Sequence, residues 1–205
     1  VTVRSLDTRL LPIEDITVLG APQALGVGSY AHTDENLIYT GNWRTYNASW
    51  GDDGKVIGTN ETDDLMTFYV DTTNADRLAI NYPNWGGTMQ VCGANCATIP
   101  MTGSDNGNRA VLTMQELGLA GGNAAVNILS LGGWIGVDSL EVLAEPSALT
   151  PGTYAETDGN IILNGGWSSW PETWATDGTV TGTTTPGDTL TFSVDSTSLD
   201  RIAIH

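Results

Sequence analysis

Tyr30-Ala31-His32-Thr33-Asp34-Glu35-Asn36 returns 124 residues later as Tyr154-Ala155-Glu156-Thr157-Asp158-Gly159-Asn160, and the match runs on without a gap to the end of the chain. Gly41-Asn42-Trp43 meets Gly165-Gly166-Trp167, and Trp50 meets Trp174. Asp53-Gly54 meets Asp177-Gly178, and Thr67-Phe68-Tyr69-Val70-Asp71 meets Thr191-Phe192-Ser193-Val194-Asp195. Asp76-Arg77-Leu78-Ala79-Ile80 meets Asp200-Arg201-Ile202-Ala203-Ile204. About half of the paired positions are identical, far beyond chance, and self-similarity at a fixed period is the signature of an array of like units.

The other end of the unit recurs at the same offset, where Pro12-Ile13-Glu14-Asp15-Ile16-Thr17-Val18-Leu19 faces Gly136-Val137-Asp138-Ser139-Leu140-Glu141-Val142-Leu143. This phase predicts final strands of a preceding unit over 1–20, a linker over 21–27, a complete unit over 28–145, and a linker with the first half of the next unit over 146–205. Pro22, Pro146 and Pro151 stiffen the linkers, so neighbouring units should keep a limited range of angles. Half a sandwich leaves an apolar face and open strand edges in water. The expectation is therefore a window on a longer tandem polymer, or half units completed by neighbouring chains. Simple head-to-tail completion would still lack the counterpart of 82–124.

Within the unit, short segments rich in Thr, Val, Ile and aromatic residues are punctuated by Gly, Asn and Asp, and nothing of ten residues or more shows capped helical periodicity. The fold class expected is all-β, with strands near 29–33, 36–40, 43–50, 55–59, 63–71, 76–82, 87–92, 96–100, 109–116, 123–130 and 134–143. Asp53-Gly54 has hairpin-turn chemistry. Comparison of the two copies assigns faces: Met66, Phe68 and Val70 are matched by Leu190, Phe192 and Val194, while Tyr69 is matched by Ser193. A period of two then turns the first set inward and Tyr69 outward. Leu78 and Ile80 face inward by the same rule.

The chain carries 24 acidic and seven basic residues, a formal charge of −17. Such a field repels phosphate backbones and anionic lipid, which argues against nucleic acid as a partner. No apolar run approaches the roughly 18 residues of a membrane span. Cys92 and Cys96 flank Gly93-Ala94-Asn95 between strand-like stretches, the pattern of a disulfide pinning a tight hairpin and of a compartment outside the cytoplasm. Two Cys and two distant His do not make a zinc site. Asn47-Ala48-Ser49 and Asn60-Glu61-Thr62 are glycosylation sequons compatible with that compartment.

The succession Tyr30-x-x-Thr33-Asp34, Ile38-Tyr39-x-Gly41-x-Trp43, Leu65-Met66-Thr67-Phe68, Met89-Gln90-Val91-Cys92-Gly93, Leu112 to Leu117 and Ile135-Gly136-Val137-Asp138-Ser139-Leu140-Glu141-Val142 resembles carbohydrate-binding-module-like, galactose-binding-like jelly-roll repeats. These occur in tandem in large secreted and surface proteins of bacteria. The resemblance implies antiparallel two-sheet sandwiches used for glycan binding, adhesion or spacing. It also implies a structural calcium near the first and last strands, for which Asp34, Asn36 and Asp138 are the candidates, Glu14 matching Asp138 in the earlier copy.

Seven tryptophans suit stacking on pyranose faces, with Asn and Asp nearby for the hydroxyls. Trp50, Asn84, Trp85, Tyr69 and Trp174 are the candidate contacts to glycan or to another subunit, whereas Trp43 and Trp134 read as core. No nucleophile elbow, metalloprotease motif or phosphate loop is present, and His32 and His205 do not recur between copies. The function expected first is a non-catalytic extracellular fibre, sheath or stalk built from copies of one unit. A glycan-binding module array is the alternative.

Overall fold

The computed structural model describes residues 21–51, 53–102, 107–156, 158–164, 167–175, 178–197 and 200–204. The strands expected over 1–20, with Glu14, and the positions of His205 and Asp177 lie outside the described residues. Every described strand ladder is antiparallel, isolated parallel bridges such as Gly86 to Trp134 aside, and no helix long and apolar enough to cross a membrane is found among these residues.

Residues 28–143 form a sandwich. One sheet has four strands in the order β1 (Gly28–Ala31), β12 (Ser139–Leu143), β6 (Arg77–Tyr82), β9 (Asn108–Thr113). The opposing sheet has five: β2 (Ile38–Thr40), β5 (Leu65–Asp71), β10 (Asn123–Gly132), β7 (Thr88–Cys92), β8 (Cys96–Pro100). Met66, Phe68 and Val70 are fully buried and alternate with exposed Tyr69, as the two copies predict. They pack in one core with Val126 and Ile128 of β10, Met89 and Val91 of β7, Leu78 and Ile80 of β6, and Leu140 and Val142 of β12. Each such side chain contributes about 1.5–3 kcal/mol on leaving water.

A smaller sheet of β11 (Ile135–Val137), β4 (Lys55–Thr59) and β3 (Arg44–Asn47) closes one side. The single strand expected over 134–143 is thus two. The chain changes sheets at Asp138, whose N–H donates to Asn81 O at 2.8 Å while its carbonyl accepts from His32 N at 3.1 Å, and strands that switch sheets are how sandwiches turn corners. Two other strands, expected to reach 50 and 116, stop three residues short. β3 ends at Asn47 because bonds from Gly51 N to Ala48 O and from Gly54 N to Gly51 O fold the chain into successive turns, with Gly54 at φ 78°. β9 ends at Thr113, where Thr113 and Glu116 bond reciprocally: Thr113 N donates to Glu116 Oε2 at 2.7 Å and Glu116 N to Thr113 Oγ1 at 3.0 Å. That is a capping box placed on a turn.

From residue 147 onward the same local geometry reappears. β13 (Ile162–Asn164) pairs with β16 (Thr189–Thr191), Ile162 opposite Thr191, as Ile38 lies opposite Thr67 in β2 and β5. β14 (Ser168–Pro171) pairs with β15 (Thr179–Gly182), Ser168 opposite Gly182, as Arg44 lies opposite Gly58 in β3 and β4. The chain before each set is clasped identically. Gln23 N donates to Asn36 Oδ1 and Ser147 N to Asn160 Oδ1, both at 2.7 Å. Leu25 brackets Tyr69 and Asp71 through its backbone as Leu149 brackets Ser193 and Asp195.

Candidate binding site

Three aromatic rings from three elements meet beside the small sheet. Tyr46 lies on β3, Trp85 in the loop between β6 and β7, and Trp134 in the turn between β10 and β11. Ring centroids are 5.4 Å apart for Tyr46 and Trp85, 5.6 Å for Tyr46 and Trp134, and 6.2 Å for Trp85 and Trp134. Their planes cross at 82°, 86° and 88°, so the rings stand like the three faces at the corner of a box. Edge-to-face contact of this kind is favourable because the positive ring edge meets the negative ring face.

Glycines set the corner. Gly58 of β4 and Gly136 of β11 are cross-strand partners, and a Cβ on either would meet Trp85 Cζ3, at 2.4 Å and 2.8 Å respectively. The paired glycines are therefore a floor on which the indole lies. Gly87 N donates to Trp134 O at 2.9 Å, and a Cβ at Gly87 would stand 2.3 Å from that oxygen. The backbone of Trp134 is thereby held against the 86–87 turn while its ring is 42% exposed. Trp134, expected in the core, is instead at the surface: Gly133, at φ 72°, turns the chain before it, and inward Ile135 takes the buried place.

Of the residues singled out in sequence, Trp85 and Asn84 lie at this corner, both half-buried. Trp50 is half-buried in the turn after β3 and is not among the ring partners of Trp85. Tyr69 is exposed on the outward face of the five-stranded sheet, opposite Ala125, and Trp174 is 71% exposed in the turn after β14. Tyr46 escaped sequence reading, although the strand alternation of Arg44-Thr45-Tyr46-Asn47 places it opposite Val56, two residues from Gly58. Trp43 packs against the core and on Tyr39, ring centroids 5.5 Å apart. Burial, with a smaller contribution from Asp34, pushes the Tyr39 hydroxyl far above the usual phenol range, and that hydroxyl donates to His32 O at 2.7 Å.

Asp34 and Asn36, two of the calcium candidates, form a turn. Asp34 Oδ1 accepts both the backbone N–H and the side-chain amide of Asn36 at 2.9 Å, and Asn36 Oδ1 takes Gln23 N. Asp138 is buried and accepts from Ser139 Oγ at 3.3 Å. Among the described residues no group of three or more His, Cys, Asp and Glu is arranged to hold a metal. Cys92 and Cys96 are opposite each other in the β7–β8 hairpin and form a disulfide. Asn47 and Asn60 are both exposed.

The sequence matches no protein-family model and no curated protein. Among solved structures the chain is similar to the Agl-KA catalytic domain, at 12% identity over 67% of this chain and 31% of that chain, with a TM-score of 0.43. It is similar to the GH26-CBM35 β-(1,4)-mannanase of Podospora anserina, at 17% identity over 60% of this chain and 29% of that chain, TM-score 0.47. It is also similar to CsCBM6-3 from Clostridium stercorarium in complex with cellobiose, at 16% identity over 58% and 96% of the two chains, TM-score 0.43. The last two are, or carry, carbohydrate-binding modules. The chain spans less than a third of the length of the first two.

Proposed function

We propose that the chain is a non-catalytic carbohydrate-binding protein of the jelly-roll type that works outside the cytoplasm. The aromatic corner of Tyr46, Trp85 and Trp134 is its glycan contact. The observation that carries this reading is Trp134, a large apolar ring 42% exposed yet fixed by two ring neighbours and a backbone hydrogen bond. A rigid exposed ring costs little conformational entropy when a pyranose stacks on it. Half-buried Asn84 next to Trp85 brings amide chemistry to the rim. The Cys92–Cys96 disulfide favours an oxidising compartment.

Affinity electrophoresis of the wild type and of Trp134→Ala through gels holding a panel of soluble polysaccharides tests the site. Loss of one stacking contact of about 1–1.5 kcal/mol lowers affinity roughly tenfold. Retardation that is the same for both proteins on every retarding polysaccharide rejects the corner as the contact.

A second reading, a structural array of like units, is favoured by the recurrence of register and linker clasp at an offset of 124 residues. In that reading residues 1–20 close a preceding unit, 21–27 link, 28–145 are a whole unit and 146–205 open the next, and the partners are copies of the same unit. The mass of the native polypeptide under denaturing, reducing conditions tests it: a value many times 21.6 kDa is expected, and one near it rejects the array.

A further inference from the structure

Residues of the second region lie against part of the outward face of the four-stranded sheet. Arg77, at the start of β6, is 2% exposed and joins the two parts: its Nη2 donates to Ala144 O at 3.0 Å, just after β12, and to Gly159 O at 3.3 Å, beyond the linker. Beside this joint lies a cleft of about 740 Å³, within the roughly 300–1,000 Å³ of small-molecule sites. Asp76, Tyr82, Arg109 and Glu116 line it from one side, Trp167 and Thr185 from the other.

The chemistry of these walls selects a ligand class. The protein as a whole is at −17, yet two of its seven cations, Arg77 and Arg109, line this one cleft and balance Asp76 and Glu116. With no net charge the cleft favours neither an anion nor a cation. Half-buried Trp167 offers an apolar flank. Arg109 reaches Glu141 Oε2 through one nitrogen at 2.9 Å, its side chain 38% exposed, and a guanidinium has five N–H groups to share. An apolar ring, a guanidinium donor and carboxylate acceptors together suit a ligand that carries many hydroxyls and no charge.

We propose that this cleft is a second glycan subsite, for a short neutral oligosaccharide, built jointly by the two regions, with Trp167 as the stacking surface and Arg109 and Glu116 as hydrogen-bonding groups. It takes its ligand class from the carbohydrate-binding reading but none of its residues from the aromatic corner. A bound oligosaccharide would bridge the regions on either side of the linker and tighten a joint now held by Arg77.

Isothermal titration of the whole chain with cellotetraose, mannotetraose and laminaritetraose tests the proposal, in wild type, Trp167→Ala, Thr185→Arg and Trp134→Ala. Thr185 is exposed, so the arginine there occludes the cleft without removing a packed side chain. The expected result is that W167A and T185R each lower affinity for at least one tetrasaccharide tenfold or more, while W134A leaves that binding event in place. Hydrogen exchange should slow on ligand addition at both 109–113 and 162–164. Binding abolished by W134A and untouched by W167A and T185R overturns the cleft and leaves the corner standing. Binding lost in W167A and T185R but unchanged in W134A supports the cleft and removes the corner. Absence of binding to all three sugars overturns both.

Discussion

Ile80 and Ile204 hold the same place in two copies of one sequence pattern, yet Ile80 is fully buried and Ile204 is 81% exposed. The same contrast separates Leu78 from Ile202, which is 57% exposed, and Met66 from Leu190, which is 39% exposed. Hydrogen bonding tells the opposite story. Strand registers, the Asx turn at Asp34 or Asp158, and the bond from the Thr59 or Thr183 hydroxyl to the Asp64 or Asp188 carboxylate are the same in both. The difference separates two kinds of information. Turns and short ladders follow from residues close in sequence, whereas burial follows from strands that arrive much later. In the first region β10 and β12 cover the inward faces of β5 and β6. Among the described residues no strand takes their place over the second region.

The largest break in that comparison should come from truncating paired core positions. Ile80→Ala opens a cavity in a packed core and is expected to cost about 2–5 kcal/mol, whereas Ile204→Ala removes surface and should stay within about 0.5 kcal/mol. Denaturant unfolding of both variants measures this. Equal losses would mean that Ile204 is buried in solution against something that covers it there.

The same division explains what was legible in the sequence. Internal repetition assigned inward and outward faces on β5 and β6 because both copies share the alternation, and the Cys-x-x-x-Cys spacing announced the disulfide hairpin. The split at Asp138 was hidden, since 134–143 reads as one strand and the switch depends on Asn81 and His32, far away in sequence. The aromatic corner was half legible. Trp85 sits among turn residues and declares itself, but Tyr46 and Trp134 become its neighbours only through the Gly58–Gly136 pairing. Sequence distance conceals such a site; an orphan aromatic facing a glycine in a paired strand is the signal that would reveal it.

Glycine substitutions sharpen the comparison at the next level. A Cβ at Gly58 would meet Trp85 Cζ3 at 2.4 Å and Ile135 O at 2.5 Å, the second a backbone atom that cannot swing away. At the matching Gly182 the closest atom is Trp170 Cη2 at 2.7 Å, on a ring that is 44% exposed and able to move. Gly58→Ala should therefore cost about 1–3 kcal/mol and shift the indole resonances of Trp85, while Gly182→Ala costs much less. If both alanines are tolerated equally, the glycine floor is not what seats Trp85.

Asp64 and Asp188 extend the series to buried polar groups. Asp64 Oδ2 accepts from Thr59 Oγ1 at 2.5 Å and from Asn42 N at 2.8 Å, and Thr59 is 1% exposed. Asp64→Ala strands that hydroxyl away from water, at a cost of about 1–3 kcal/mol. Asp188→Ala, in the half-open second region, should cost less because water replaces the lost acceptor. Thermal melts of the two variants compare them, and a larger loss for Asp188 would contradict the exposure difference.

The smallest effect is expected where the regions should behave alike. Asp71 and Asp195 end matching segments, and each has its carboxyl pKa lowered from 3.8, chiefly by the side-chain hydrogen bond of the threonine two residues on and next by that threonine's backbone N–H. Thr73 N and Thr197 N each donate to the respective Oδ1 at 3.0 Å. A carboxyl whose pKa is depressed by folding stabilises the native state above its unfolded value, and that contribution disappears as pH falls through the lowered value. The window therefore lies below pH 3.8, and both residues sit half-buried at the surface with their carboxyls in reach of solvent, so the thermodynamic effect is slight. Carboxyl NMR titration reads the shifts directly. Thr73→Val should raise the Asp71 pKa toward 3.8, and Thr197→Val should do the same to Asp195 despite the open surroundings of the second region. A response at Asp71 alone would show that even this three-residue motif needs the covered sandwich around it, and the boundary between local and distant information would have to be drawn closer than the turn.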